Sequence, residues 1–337
     1  MQAVFYEGDR KVSVGTNAPI APQKGEVQLK VSHCGICGTD LHIFHGAMDQ
    51  RVTFPQVLGH EMSGTVHAIG EGVSDFSIGD KVVVMPLAPC GDCPACEAGH
   101  SHICHNLKFL GIDTPGAFQS YWTVPAYTLH KLPDELSLKH GALIEPLAVA
   151  CHDVRLADVK DGDHVVVLGG GPIGMLVALV AKNAGANVII SEINPYRVSL
   201  ANQLGLKAIN PQETDLVDLV MTETDHAGAD IVFEVSGSQA GANIMTDLLR
   251  TRGLAVIVAI FAKKPEIDLF RFFWRELRLQ GVRVYESQDF ADAIALAASG
   301  QLPLDELITD VRPLNDLQSG FEDMEKGGQV MKILLEI

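Results

Sequence analysis

Positive charge is scarce in this sequence. Lys and Arg number 25 against 42 Asp and Glu, giving a formal net charge of −17 and a pI near 5.1. A surface of that sign repels polyphosphates and anionic headgroups, so neither nucleic acid nor a membrane surface is an expected partner. Long apolar runs are also missing. The longest, Ile173 to Ala181 and Leu254 to Ala262, fall well short of the roughly 20 residues a membrane-spanning helix needs. The first residues, MQAVFYEGDRKVSVG, carry charges and no apolar core, which argues against a secretory leader and for a soluble cytoplasmic protein. No internal repeat, low-complexity tract or long linker interrupts the chain.

The 337 residues have an ordinary globular composition, 47% hydrophobic and 20% charged, enough for two cores. Up to about residue 147 the texture is β-rich: runs such as VQLKVSHCG, GTVHAIG and KVVVMP are separated by Gly, Pro and Asp. From about Asp163 it changes. HVVVLGG reads as a buried strand and PIGMLVALVAKNAG as a helix. Further strands follow at NVIISEI, LKAIN, ADIVFEVSG, LAVIVAI and RLQGVRVY, with helical segments between them. Strands alternating with helices indicate a parallel sheet covered on both faces. After Tyr285 come a helix, ADAIALAASG, and a strand, GGQVMKILLEI, too short to form a domain and expected to pack back on one of the two parts.

Gly169-Gly170-Gly171-Pro172-Ile173-Gly174 carries the spacing G-x-G-x-x-G. That spacing is common by chance, but here it follows a strand and opens a helix. Gly169 suits the tight turn, Gly171 the approach of a pyrophosphate, and Gly174 the close passage of helix over strand. Pro172 fits the first helical turn, whose free N–H groups favour phosphate. Glu192, at the end of the next strand, would accept hydrogen bonds from ribose hydroxyls and repel a 2′-phosphate, which favours NAD over NADP. Arg197 close by could stack on adenine or meet a phosphate.

Of seven cysteines, Cys90, Cys93, Cys96 and Cys104 fall within one short segment. Without a leader, such clustering indicates a metal rather than disulfides. Four thiolates suit a closed, structural zinc site, leaving the neighbouring His100, His102 and His105 as surface residues. Cys34 and Cys151 read as packing residues. A second constellation is scattered: Cys37 in GICGTDLH, His60-Glu61 in GHE, and Glu145 in EPLAVACH. One Cys, one His and one Glu fit a catalytic zinc with an open position, a second Glu in reserve. Taken singly, Cys37 reads equally as a buried apolar cysteine, His60-Glu61 as a loop pair, and Glu145 as the first-turn acid of a helix.

Together, CGICGTDLH, FPQVLGHEMSGTV, GDKVVV, CGDCPACEAGHSHIC, EPLAVACH and VVVLGGGPIGMLVALVAKNAGA resemble the zinc-containing medium-chain dehydrogenase/reductase family along nearly the whole chain. Where the alcohol dehydrogenases of that family place a second cysteine, this chain has Glu145, which resembles the polyol branch of sorbitol, butanediol and threonine dehydrogenases. The resemblance implies a GroES-like catalytic domain at residues 1–147, completed by 286–337, and a doubly wound Rossmann domain at 148–285. The fold class expected is therefore α/β plus a β-rich domain.

The resemblance also implies two zinc ions, one catalytic on Cys37, His60, Glu61 and Glu145, and a hydride passed between a small secondary alcohol or polyol and NAD. Thr39 and His42 match the family's proton relay. Ile173, Val258, Ala259, Ile260, Val282, Arg283 and Val284 match positions that contact cofactor. Two residues depart from the pattern: Ala259 replaces a glycine, and Arg283 is shifted from the arginine that polyol enzymes place near substrate. On a strand, a one-residue shift reverses the face. A homodimer or homotetramer is the implied assembly. A threonine-like amino alcohol is the alternative substrate, and a non-catalytic zinc and nucleotide-binding regulator the alternative class. Phe270, Phe272, Phe273 and Trp274 read as an aromatic helix packed at a domain interface.

Overall fold

The computed structural model describes all 337 residues. They fall into two compact units, one formed by Met1–Glu145 and Glu286–Ile337, the other by Pro146–Tyr285. No helix is long and apolar enough to cross a membrane.

The first unit is built on a seven-stranded sheet. Its central strand, Glu26–Gly35, pairs antiparallel with Glu61–Ile69, with Tyr121–Pro125 and with Lys332–Glu336. The last of these comes from the far end of the chain, so the C-terminal segment completes this unit's sheet. Alternation along Glu26–Gly35 buries Val27, Leu29 and Val31, and Cys34 is buried beyond a register shift between Val31 and His33. At its end, Gly35 stands opposite Glu61 on one side and Leu334 on the other. The chain then turns into the helix Gly38–Phe44.

The second unit is a six-stranded, wholly parallel sheet. The order is Lys207–Ile209, Asn187–Ser191, His164–Leu168, Ala229–Glu234, Leu249–Ile257, Arg278–Gly281. Order reverses on either side of His164–Leu168, which makes the carboxyl end of that strand the point where a ligand crevice opens. Val165, Val166 and Val167 are buried, as expected of a strand covered on both faces. The helix Pro172–Asn183 packs its small and aliphatic residues from Gly174 to Ala181 inward.

Two expectations need correction. The sixth strand ends at Gly281, so Val282, Arg283 and Val284 lie beyond it, and Val284 takes a left-handed φ of 50°. The face-reversal reasoning for Arg283 therefore does not apply; its side chain is exposed in a loop. The aromatic helix, Leu269–Arg275, is not packed away either. Phe270, Phe273 and Trp274 are 65%, 76% and 72% exposed, while Phe272 packs against the core of the second unit.

Candidate active site

In the first unit, Cys37 caps the helix Gly38–Phe44. Its sulfur accepts from the Thr39 amide at 3.4 Å, and its own amide donates to Asp40 Oδ2 at 2.9 Å, a reciprocal capping arrangement. His60 and Glu61 open the strand that pairs with Glu26–Gly35. The fold thereby brings Cys37, His60 and Glu61 together, with one ligand atom from each lying within 4.8 Å of the others. Glu145, at the start of the helix Ile144–Leu156, is buried but lies outside that trio. Thr39 is half-buried and His42, one turn on, is exposed.

Three buried polar atoms crowd the trio without a well-formed hydrogen bond: Asp40 Oδ1, His60 Nδ1 and Glu61 Oε2. Their neighbours are charged groups, Asp40 beside His60 and Lys332 beside Glu61, so the local field decides what the trio can hold. Burial pulls the His60 imidazole down, but Asp40 and Cys37 outweigh it and hold its pKa well above the ordinary value. The pocket favours a cation. Cys thiolate, imidazole and carboxylate are together a zinc donor set, so these residues fit a catalytic zinc.

Two residues here escaped sequence reasoning. Asp40 Oδ1 faces His60 Nδ1 at 3.5 Å, which assigns the proton to Nδ1 and leaves Nε2 for a metal. Lys332, from the C-terminal strand, is buried and ion-paired with Glu61 Oε2, and donates to the Ile36 carbonyl at 3.1 Å. Burial depresses its pKa, but Glu61, Cys37 and Glu145 reverse the effect and raise it, so it stays charged. A cysteine three residues before an aspartate, and a lone lysine inside VMKILLEI, were the available signals.

The four-cysteine lobe forms a closed cluster. Cys93 lies 3.6 Å from Cys96 and 3.7 Å from Cys104, and Cys104 lies 3.3 Å from Cys90, sulfur to sulfur. Four sulfurs about 2.3 Å from one zinc stand about 3.8 Å apart, close to this spacing. The amides of Cys90 and Asn106 donate to Cys104, and that of His105 to Cys93. Backbone amides of Cys96 and His105 draw the Cys93 thiol down to about 6. His100, His102 and His105 are not part of the cluster.

In the second unit, Gly169 turns at φ 100°, Gly171 caps the helix and Pro172 opens it. A Cβ on Gly174 would overlap the Gly169 carbonyl oxygen, so the helix can lie this close only over glycine. A cavity of about 390 Å³ opens here, lined by Gly169, Gly171, Glu192, Arg197, Ser236 and Ile244 among others. Glu192 is less free than the sequence suggests. Oε2 accepts from the Gly170 amide and Oε1 from the Asn194 amide, both at 2.8 Å, and Arg197 Nη1 lies 3.8 Å from Oε2. Ile173 is half-buried in the first helical turn. Val258 and Ala259 both donate to the Glu234 carbonyl, and Ile260 is exposed.

Residues 23–134 match the alcohol dehydrogenase GroES-like domain, and residues 172–299 the zinc-binding dehydrogenase domain. The chain is 56% identical over its whole length, and 98% of the relative's, to a 2-dehydro-3-deoxy-L-galactonate 5-dehydrogenase of Pseudoalteromonas atlantica. It is 35% identical to a sorbitol dehydrogenase of Halalkalibacterium halodurans, covering 93% of this chain and 92% of that one. A zinc-binding dehydrogenase of Sinorhizobium meliloti, solved bound to NADP, superposes with a TM-score of 0.94 at 33% identity, covering 100% and 99% of the two chains. The chain belongs to the zinc-binding medium-chain dehydrogenases, in their polyol branch. It is an oxidoreductase that moves hydride between a polyol-type secondary alcohol and a nicotinamide cofactor.

Proposed function

We propose that this enzyme oxidises a secondary hydroxyl of a sugar-derived hydroxy acid with NAD, at a zinc held by Cys37, His60 and Glu61. The observation that carries the metal reading is the convergence of those three donors in a buried pocket whose field favours a cation. The substrate class is supported by full-length similarity to a galactonate-derivative dehydrogenase. Bound there, zinc supplies Lewis acidity toward the hydroxyl, and the nicotinamide supplies the hydride chemistry.

This chain's own residues supply the rest. Asp40 fixes the His60 ring, and Glu145 keeps a further carboxylate nearby. Thr39 and His42 stand three residues apart, on one helix face, the first half-buried and the second exposed. A hydroxyl that accepts and donates at once, followed by an exposed imidazole with two ring nitrogens, can carry the substrate's proton to solvent. In the cofactor site, the buried Glu192 disfavours a 2′-phosphate, and the amide-rich turn at Gly169–Gly174 receives the pyrophosphate. The four cysteines hold a second, structural zinc.

A screen of sugar acids, polyols, diols and amino alcohols with NAD and NADP, following reduced nicotinamide, tests this reading. The highest kcat/KM is expected on a sugar acid with NAD, with two zinc ions per chain and activity lost in Cys37→Ser. One zinc per chain, or turnover confined to amino alcohols, would overturn it.

Self-association is part of the same reading. Arg278–Gly281 is an exposed edge strand, and Phe270, Phe273 and Trp274 project from the helix before it. Exposed edges and aromatic patches are ordinarily covered by a partner, here a second copy in a homodimer or homotetramer. Light scattering should give a multiple of the 36.2 kDa chain mass, reduced in Trp274→Asp; a monomer would refute it.

A further inference from the structure

Glu61 has two claimants. It belongs to the Cys37–His60–Glu61 trio, and one of its oxygens is already ion-paired with Lys332. The pair is built into the sheet. Glu61, Gly35 and Leu334 lie opposite one another on three adjacent strands, and Lys332 is two residues before Leu334, on the same face. The Glu61 side chain crosses over the bare α-carbon of Gly35 to reach Lys332. A Cβ on Gly35 would occupy the space taken by Glu61 Oε2 and Lys332 Cε. The ammonium is itself anchored by the Ile36 carbonyl, and its burial denies it water as an alternative partner.

We infer that Lys332 is a positioning residue that holds Glu61 Oε2 away from the metal, so that the carboxylate ligates through one oxygen and the fourth zinc position stays available to the substrate hydroxyl. This rests on the zinc reading of the trio. For Glu61 to ligate zinc through both oxygens, Oε2 must leave Lys332 and strand a buried cation, which is strongly unfavourable. Ligation through both oxygens would also bring the protein donor atoms on the metal to four and fill the position a catalytic site needs open. Lys332 therefore trades metal affinity for reactivity, by way of Glu61.

Zinc retention separates the possibilities. The wild type is equilibrated with a chelator, and zinc loss is followed by metal analysis. Loss of the more labile zinc, absent from Cys37→Ser, reports the catalytic site; if Cys37→Ser keeps both ions, the zinc reading itself has failed. With that reading standing, Lys332→Met should lose this zinc at least tenfold more slowly and show kcat lowered at least tenfold. Its cobalt(II)-substituted form should have an altered visible spectrum, and Lys332→Arg should restore all three. In a Glu61→Gln background, Lys332→Met should change zinc retention less than threefold. Faster or unchanged zinc loss in Lys332→Met, or the same effect with Glu61→Gln already present, overturns the inference. Lys332→Gln, which keeps length and polarity without charge, gives the same readouts should the methionine variant not fold.

Discussion

Glu192→Ala should damage the cofactor site in two separable ways. The carboxylate accepts from two backbone amides at 2.8 Å, those of Gly170 and Asn194, in a nearly fully buried position. Hydrogen bonds to a charged acceptor contribute about 1.5–3 kcal/mol each. Some water will enter the vacated space, so the lower figure applies, and the pair amounts to about 3 kcal/mol. In a unit the size of Pro146–Tyr285 that corresponds to a melting temperature lower by roughly 10 °C. The second effect is on preference. Arg197 Nη1 sits 3.8 Å from Glu192 and beside Gly171, and loses its counter-charge. Removing a repulsive carboxylate from beside a guanidinium should move the NAD-to-NADP ratio of kcat/KM at least tenfold toward NADP, about 1.4 kcal/mol. Calorimetry reads the first effect, and initial rates with both cofactors read the second. An unchanged ratio in a destabilised variant would mean that Glu192 only braces the glycine turn, and that cofactor choice is made elsewhere.

Cys93→Ser should leave one zinc per chain and lower the melting temperature of the first unit, while the metal at Cys37 persists; loss of both ions would refute the independence of the two sites. Gly174→Ala places a methyl group against the Gly169 carbonyl, and should raise the KM for cofactor and cost about 1–3 kcal/mol of stability, read by chemical denaturation. Asp113 gives a pH test. Burial pushes its carboxyl up, but Arg51 and the Phe109 amide more than offset this and hold it below the ordinary range. Its contribution is therefore fully present above about pH 4 and lost as pH falls through the depressed value, about 1 kcal/mol given that Arg51 is partly exposed. Asp113→Asn should flatten that part of the acid limb of a stability–pH curve.

Local features were legible in the sequence. The glycine turn between HVVVL and its helix, and the four cysteines of one loop, depend on neighbours in the chain, so spacing alone described them. Both units' principal strands could be read the same way, from apolar runs bounded by Gly, Pro and Asp. The catalytic trio was different. Cys37 caps a helix while His60 and Glu61 begin a strand, and only the register of Glu26–Gly35 against Glu61–Ile69 joins them. Family resemblance supplied what spacing could not. Asp40 and Lys332 went unread because their partners lie across the sheet or around a helix cap. Arg283 misled because its strand stops at Gly281, where alternation ceases to apply.

The strand Lys332–Glu336 has a consequence in time. It lies beside Glu26–Gly35 in the finished sheet, yet it is translated only after all of Pro146–Tyr285. At about 5–20 residues per second, the first unit waits on the order of ten seconds on the ribosome with the His33–Gly35 end of one flank of its central strand unpaired. During that interval Glu61 has no ammonium beside it. A metal captured then would meet a carboxylate unrestrained by Lys332, and the arrival of the last strand would draw that carboxylate back.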